Sequence, residues 1–406
     1  MRKAAPLLGV GLLVCVIVFG LVRLNTLFET TKASGVRAAQ VVRQSIVALE
    51  KQHSDNVRQL RWDMLSMREE LCPEARRRGE LYQKMLPACF HLSADYGEHV
   101  VQDSPFVAPE RRRILLEGCG VSLQLDPLAK PQLVSVAHII AQSNPTVLPN
   151  RVYVHFHGRP AIEVVITSFT RGRDLVLLDF KNNAEAFYGT PALLGDTATL
   201  NPGSPVMTIG SPNSFRFIPA WGELLRHGSV PSVEGLFPSL SSQRCNHGNS
   251  GSPLFALDGS VVGIANIVYS RLDVFSAFIN SEIIRRTLGQ LGETRGELEE
   301  GSFGATFEDV VGLNPAHADK LGIVLPPNPE GVIVTDVYAK EASDGKLQKS
   351  DLITHCDDVP VASAETLIVG ALYAKPKTVM KLRGLRGGAE FKAEITLGKF
   401  DSDARR

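Results

Sequence analysis

Gly248-Asn249-Ser250-Gly251-Ser252-Pro253 is the stretch on which the reading of this chain turns. A serine between two glycines sits where the backbone can bend sharply and approach another chain closely, because glycine carries no Cβ. Such a bend exposes the Ser250 hydroxyl. It also aims main-chain amides of the Gly248, Asn249 and Ser250 run at one point, with Gly248 and Ser250 as the principal donors, the arrangement that stabilises a developing oxyanion. Small polar residues with proline also build ordinary surface turns. The hexapeptide therefore needs partners elsewhere in the chain.

Two partners stand upstream. Val136-Ala137-His138-Ile139-Ile140 places one histidine in an apolar run, and Arg173-Asp174-Leu175-Val176-Leu177-Leu178 places an aspartate at the start of a buried-looking strand. The order His138, Asp174, Ser250 is that of chymotrypsin-type enzymes and differs from the orders in subtilisins and α/β-hydrolases. These three segments resemble the HtrA (Deg-type) serine proteases of the trypsin-like fold, which carry a C-terminal PDZ domain. The resemblance extends from about residue 115 onward. It implies a mostly β chain: a chymotrypsin-like double β-barrel over 101–292, then an α/β PDZ domain over 300–399.

By that resemblance Ser250 would attack a peptide carbonyl and His138 would take and return the proton. Asp174 would hold the imidazole tautomer, and the amides beside Ser250 would receive the oxyanion. Two departures bear on specificity. Asn249 stands where digestive members of the fold carry an aspartate that pairs with a newly cleaved amino terminus, so that route of activation is not expected; Asn is usual in HtrA enzymes. Ser252 replaces a common second glycine, as in glutamyl endopeptidases. Those enzymes read glutamate partly through a histidine on the strand after the serine, and Gly263-Ile264-Ala265-Asn266 offers none. With Cys245 also at the pocket, residues Cys245, Ile264, Ala265 and Asn266 point to a small or medium aliphatic P1 side chain.

Composition sets outer bounds. A chain of 406 residues exceeds one ordinary core and implies two or three domains. The 43 basic and 43 acidic side chains balance, so no global field favours nucleic acid. No P-loop pattern occurs, so no nucleotide-driven step and no cofactor are expected. The six cysteines include no C-x-x-C pair, which gives a zinc or thioredoxin-like reading little support. Cys72 and Cys89 are the best-placed pair for a disulfide; the others read as small buried apolar residues. His155 and His157 share one face of a strand, yet no third ligand accompanies them and solvent-facing histidines are the better reading, so no metal is expected.

The amino terminus reads differently. Ala4 to Val22 carries no charge and is flanked by Arg2, Lys3 and Arg23. At 1.5 Å per residue the run spans about 28 Å, close to the hydrocarbon thickness of a bilayer. A single-pass anchor over 1–24 is expected, in an inner (cytoplasmic) membrane, with the remainder on the periplasmic side. A cleaved signal peptide competes, as does an organellar presequence, because Glu29 is the one acid among the first 49 residues. From 25 to 100 the pattern is a helical stalk and hairpin: Ala39, Val42, Ile46, Leu49, Val57, Leu60, Met64, Met67 and Leu71 recur at helical spacing until Pro73, and Glu74 to Met85 makes a return helix.

Past 105, short alternating runs divided by Gly, Pro and Asn predict a barrel. Asn213 to Ala220 reads as a surface loop, and Arg216 to Glu234 as the place where activating signals arrive in the family. Glu293 to Glu300 reads as a polar linker. Ser302-Phe303-Gly304-Ala305 resembles a PDZ carboxylate-binding loop, Ala364 to Ala374 the groove helix, and Thr378 to Leu382 a closing strand. Ser350 stands where the PDZ pattern has glycine. The resemblance implies unfolded polypeptide substrates, C-terminal peptides at the groove, and a homotrimer or higher oligomer. A proteolytically weak chaperone or scaffold, and a narrowly specific processing protease, are the other readings.

Overall fold

The computed structural model describes residues 43–59, 73–101, 110–141, 147–182, 189–227, 239–266, 275–311 and 330–400. The predicted anchor over 1–24 lies outside them. Among the described residues no helix is long and apolar enough to cross a membrane. The chain divides into two units, Met1–Gly79 and Glu80–Arg406.

In the first unit a helix over 43–59 (α1) is exposed along its whole length, its predicted stripe residues Ile46, Leu49 and Val57 included. Helix α2 (Pro73–Met85) begins at the proline that ends the preceding pattern, as its fixed φ suits a first helical turn. From Glu80 onward this helix belongs to the second unit, in whose core its Leu81 and Met85 are buried.

The second unit continues from the end of α2 into strand β1 (Cys89–Val101), which the sequence pattern places in the stalk. The helical reading fails there because Cys89 to Tyr96 is buried in the barrel on both sides of the strand, His91, Ser93 and Asp95 included. A period-two signal is lost when polar residues also face inward. Cys89 is a buried free thiol whose Sγ donates to the Met85 carbonyl, so the expected bond to Cys72 is not formed.

Strands β1, β2 (Glu110–Gln124), β3 (Gln132–Ser135), β4 (Arg151–Phe156), β5 (Ile162–Thr170) and β6 (Leu175–Phe180) run in the order β1-β4-β5-β6-β3-β2. Pairing of β2 with β1 closes the ring into a six-stranded barrel. A two-residue strand β7 (Ala192–Leu193) pairs in parallel with the end of β2. The second barrel closes as β10-β13-β12-β11-β8-β9, from β8 (Pro205–Gly210), β9 (Ile218–Arg226), β10 (Ser239–Ser241), β11 (Pro253–Phe255), β12 (Val261–Ala265) and β13 (Ser276–Asn280). Closure removes free edges from both sheets. One contiguous apolar core runs from Phe90 and Val121 in the first barrel to Phe255 and Ile279 in the second. Helix α3 (Ser281–Gly292) follows, capped by the Asn280 side chain, which accepts from the Ile283 amide at 2.9 Å.

The acid-rich stretch after α3 is not a solvated linker. Its Gly296–Glu297 (β14) adds to β5 as a parallel strand, and the Leu298 amide donates to the Phe169 carbonyl. Beyond it lies a C-terminal β/α domain with its own core of Phe303, Phe307, Val332, Ile353, Leu367 and Leu382. Its main sheet is ordered β16-β17-β18-β20-β21, from β16 (Ala305–Asp309), β17 (Val332–Val337), β18 (Leu352–Cys356), β20 (Val379–Arg386) and β21 (Ala389–Thr396). The short β19 (Val359–Pro360) pairs with β18, and β15 (Gly301–Ser302) pairs with β22 (Gly398–Lys399). Helix α4 (Ala364–Tyr373), capped by Ser363, lies along β15 and β16.

Candidate active site

His138 leaves the first barrel on a short turn that follows β3, after Val136 and Ala137 have been drawn into the core. Asp174 opens β6, the strand paired with β3, so the two residues meet across the start of one ladder. The Asp174 carboxylate takes two hydrogen bonds from His138, one from the backbone amide at 2.7 Å and one from ring Nδ1 at 2.8 Å. With Nδ1–H donating to the carboxylate, Nε2 is the atom that can accept a proton. The aspartate is buried, whereas the His138 side chain is 38% exposed and open to a substrate.

Ser250 belongs to the turn that leads into β11. Gly248 and Gly251 both adopt positive φ, +93° and +85°. A Cβ on Gly251 would collide with the Cys119 carbonyl, and one on Gly248 with the Ser211 carbonyl, so both contacts demand glycine. The Cys119 amide donates to the Ser250 carbonyl at 2.7 Å, and Cys119 Sγ to the Gly248 carbonyl at 3.2 Å. Gly118 touches both halves of the site: a Cβ there would lie 2.9 Å from the Ser250 carbonyl oxygen and collide with Ile139, the neighbour of His138. Strand β2 thus joins the serine turn to the histidine turn.

The amides can be followed one by one. The His247 carbonyl is held by the Asn213 amide at 2.8 Å, and the Asn249 carbonyl by the Ser252 amide at 2.9 Å. A trans peptide unit is planar, so its N–H points opposite to its C=O. The Gly248 and Ser250 N–H groups therefore point away from those two anchored carbonyls. The Asn249 amide is spent on the Asn246 carbonyl at 3.0 Å and leaves the proposed set of donors. Its side chain is buried and its Oδ1 has no protein partner among the described residues.

Residues 213–217 are more than a surface loop. Asn213, Ser214 and Phe217 take positive φ without being glycine, at 49°, 65° and 61°. Asn213 braces His247, Ser214 donates to Glu117, and Arg216 lies against His155 at 3.4 Å. His91 reaches Glu117 at 3.3 Å and faces His155. Burial lowers the pKa of His91 and His155, Arg216 adds to the effect, and Glu117 opposes it. His155 is therefore a half-buried part of a brace, whereas His157 is exposed as expected, and no metal-ligating cluster occurs among the described residues. Residues 228–234 of the expected activation loop lie outside them.

Of the expected pocket residues, Cys245 and Ala265 pack in one small cluster with Val206, Leu254, Val262 and Phe278. Burial pushes the Cys245 thiol up to about 11, so it presents a neutral wall. Asn266 is buried beside Ala265 with Oδ1 unpartnered among the described residues. Ile264 packs in the main core with Ile209 and Ile279, outside the Cys245–Ala265 cluster. It is not brought to the pocket. In the C-terminal domain Phe303 is buried edge-on against Phe307, and Gly304 takes φ +64°. The Gly304 amide bonds to Ser302 Oγ at 3.0 Å. Ser350, the substitute for glycine, does adopt the positive φ (76°) that glycine would supply.

A family described as the trypsin-like peptidase domain matches residues 121–264. A probable periplasmic serine endoprotease DegP-like from Pseudomonas fulva is 28% identical over 274 residues, covering 66% of this chain and 53% of that protein. One from Pseudomonas fluorescens is 31% identical over 212 residues, covering 50% and 43%. The chain thus carries a trypsin-like peptidase domain and is similar to the HtrA/DegP-like serine proteases. This HtrA/DegP-like chain spans about half the length of the curated relatives it matches. The solved HtrA-type protease AlgW with decapeptide shares its fold at a TM-score of 0.57 and 18% identity, over 79% of this chain and 97% of that one. A serine endoprotease from Yersinia pestis does so at 0.51 and 16%, over 80% and 98%.

The residues missed from sequence are those that brace the site: Cys119, Asn213, Arg173 and Glu300. A signal for the last two was present. Two arginines flank Gly172 just before Asp174, and the stretch 297–300 carries three acids.

Proposed function

We propose that this chain is a serine endopeptidase acting on unfolded or damaged polypeptides without nucleotide. Ser250 is the nucleophile, His138 the general base and then acid, Asp174 the residue that holds the tautomer, and the Gly248 and Ser250 amides the oxyanion donors. One observation carries the reading: Asp174 grips His138 at both the backbone amide and Nδ1, which leaves Nε2 to work as the base. The neutral Cys245–Ala265 wall suits a small or medium aliphatic P1 side chain.

The C-terminal domain acts as a PDZ domain. Strand β16 pairs only with β17 among the described strands, and α4 runs beside it, so an extended peptide adds there as a further strand. A terminal carboxylate at the Ser302–Ala305 loop would replace the Ser302 hydroxyl as acceptor of the Gly304 amide, a charged acceptor being the stronger. AlgW is a relative in fold whose structure carries a decapeptide. The relatives are named periplasmic, which supports an extracytoplasmic protease; an anchor over 1–24 rests on the apolar run of the sequence alone. The family resemblance makes a homotrimer the assembly to expect.

The test is active-site labelling of the purified protein with a fluorophosphonate, alongside casein cleavage. Labelling at Ser250, with both signals abolished in a folded Ser250→Ala variant, supports the reading. A folded oligomer that takes no label refutes it.

A further inference from the structure

The C-terminal domain reaches the catalytic aspartate through one buried side chain. Asp174 has φ 51°, a left-handed conformation that an L-residue keeps only where its surroundings over-determine it. The preceding residue, Arg173, is 2% exposed. Its Nε donates to Glu300 Oε1 at 2.6 Å, and its Nη1 to Gln290 Oε1 at 2.6 Å and Thr287 Oγ1 at 3.4 Å. The Gly172 amide donates to the other Glu300 oxygen. The Arg173 guanidinium also lies over the Tyr373 ring, 4.4 Å from its centroid, while Arg286 approaches the same ring at 3.9 Å. Glu300 opens the C-terminal domain, where its carbonyl accepts the Phe400 amide, and Tyr373 is the last residue of α4. A Cβ on Gly172 would lie 2.6 Å from both Glu300 Oε2 and Leu372 Cδ2, so the contact closes only on glycine.

We infer that Arg173 is a positioning residue for the Asp174–His138 pair, and that the docked C-terminal domain completes the active site by clamping Arg173 between Glu300 and Tyr373. The inference rests on the endopeptidase reading for its kinetic readout. The planar fork of arginine explains the choice of residue: it serves Glu300 and Gln290 at once and stacks on a ring, which the point charge of lysine cannot do. Loss of the clamp frees the one turn that presents Asp174, and a displacement near 1 Å at a catalytic group costs about 10²-fold in rate.

The experiment uses the full chain and three variants, Tyr373→Leu, Tyr373→Phe and Arg173→Lys. Each is measured for kcat, KM, the fluorophosphonate labelling rate, and the downfield proton resonance of the His138 Nδ1–H···Asp174 bond. Tyr373→Leu keeps the Arg173–Glu300 pair and so guards against simple unfolding. Expected in Tyr373→Leu and Arg173→Lys is a fall of about 10- to 100-fold in kcat and labelling with KM unchanged, and a shifted or broadened Nδ1 resonance. Tyr373→Phe keeps the ring face and loses only the 3.4 Å bond of its hydroxyl to the Ile283 carbonyl, so its fall in kcat and labelling is far smaller than that of Tyr373→Leu. Folded Tyr373→Leu and Arg173→Lys proteins with wild-type labelling and an unmoved resonance overturn the inference and leave the peptidase reading intact. A wild-type protein that takes no label overturns that reading instead, while the resonance still decides whether Arg173 positions the pair.

Discussion

The Asp174 carboxylate spends one oxygen on the His138 backbone amide and the other on its ring, so a single side chain sets both where the imidazole sits and which way it faces. Asp174→Asn keeps one acceptor oxygen and replaces the other by a donor. Whichever way the amide turns, either the backbone bond or the Nδ1 tautomer is lost. We expect kcat to fall by about 10⁴, as in the corresponding exchange in trypsin, with little change in KM. Steady-state cleavage of a peptide by a variant whose circular dichroism matches the wild type checks this.

Gly251→Ala should be more damaging than its one methyl group suggests. The position has φ +85°, and the added Cβ would collide with the Cys119 carbonyl and come within 2.6 Å of Ser135 Oγ. Neither neighbour can yield cheaply, since one is backbone in the barrel wall and the other is bonded to it. The left-handed strain alone is of order 1–3 kcal/mol. The expected outcome is a lower denaturant midpoint together with loss of Ser250 labelling, whereas Gly158→Ala, on an open hairpin, leaves labelling intact.

What could be read in advance follows from chemistry that is local in sequence. The serine turn announced itself because two of its φ angles require glycine, whereas the helix at Ala364–Tyr373 is placed by its family resemblance. Strand β1 was hidden because His91, Ser93 and Asp95 are buried on the face that an alternating pattern would leave polar and exposed. The 296–300 stretch looked like a linker because acids usually face water. Arg171, 3.3 Å from Glu297, and Arg173, bonded to Glu300, lie more than a hundred residues away. The local clusters of arginines at 171 and 173 and of acids at 297–300 are visible in the sequence, but their pairing is created only by the fold.

Acid should weaken the protein through the brace behind the serine turn. His91 and His155 both have pKa values lowered from 6.5, by burial first and by Arg216 next. A depressed folded-state value means the unfolded chain takes up protons first as pH falls below about 6.5. Their contribution is therefore complete above that pH and is lost on acidification through the folded-state values. Glu117 and Ser214 face the same cluster, and Glu117, itself held below its ordinary value, stays charged across that window. In a Ser250→Ala background, to prevent self-cleavage, the melting temperature should drop between about pH 7 and about pH 5. His91→Gln should flatten that slope, and an unchanged slope would show that the cluster does not titrate on unfolding.

The Arg173–Glu300 pair allows stability and catalysis to be separated. Both side chains are almost wholly buried, at 2% exposure each, and burial pushes the Glu300 carboxyl above its ordinary value against the pull of Arg173. Removing one partner strands a buried charge, which costs about 3–5 kcal/mol. Arg173→Met should therefore be strongly destabilised near neutral pH. It should regain stability on acidification, because a folded-state value raised above the unfolded one favours the fold wherever Glu300 is protonated. Adding Glu300→Gln removes the stranded charge, so the double variant should be more stable than Arg173→Met alone, with a coupling of about 1–3 kcal/mol in a denaturant cycle. Activity should not follow. The double variant still lacks the fork that braces the Asp174 turn, so its labelling rate stays as low as that of the single variant. Recovery of labelling along with stability would mean that the pair only holds the domains together and does nothing for the aspartate.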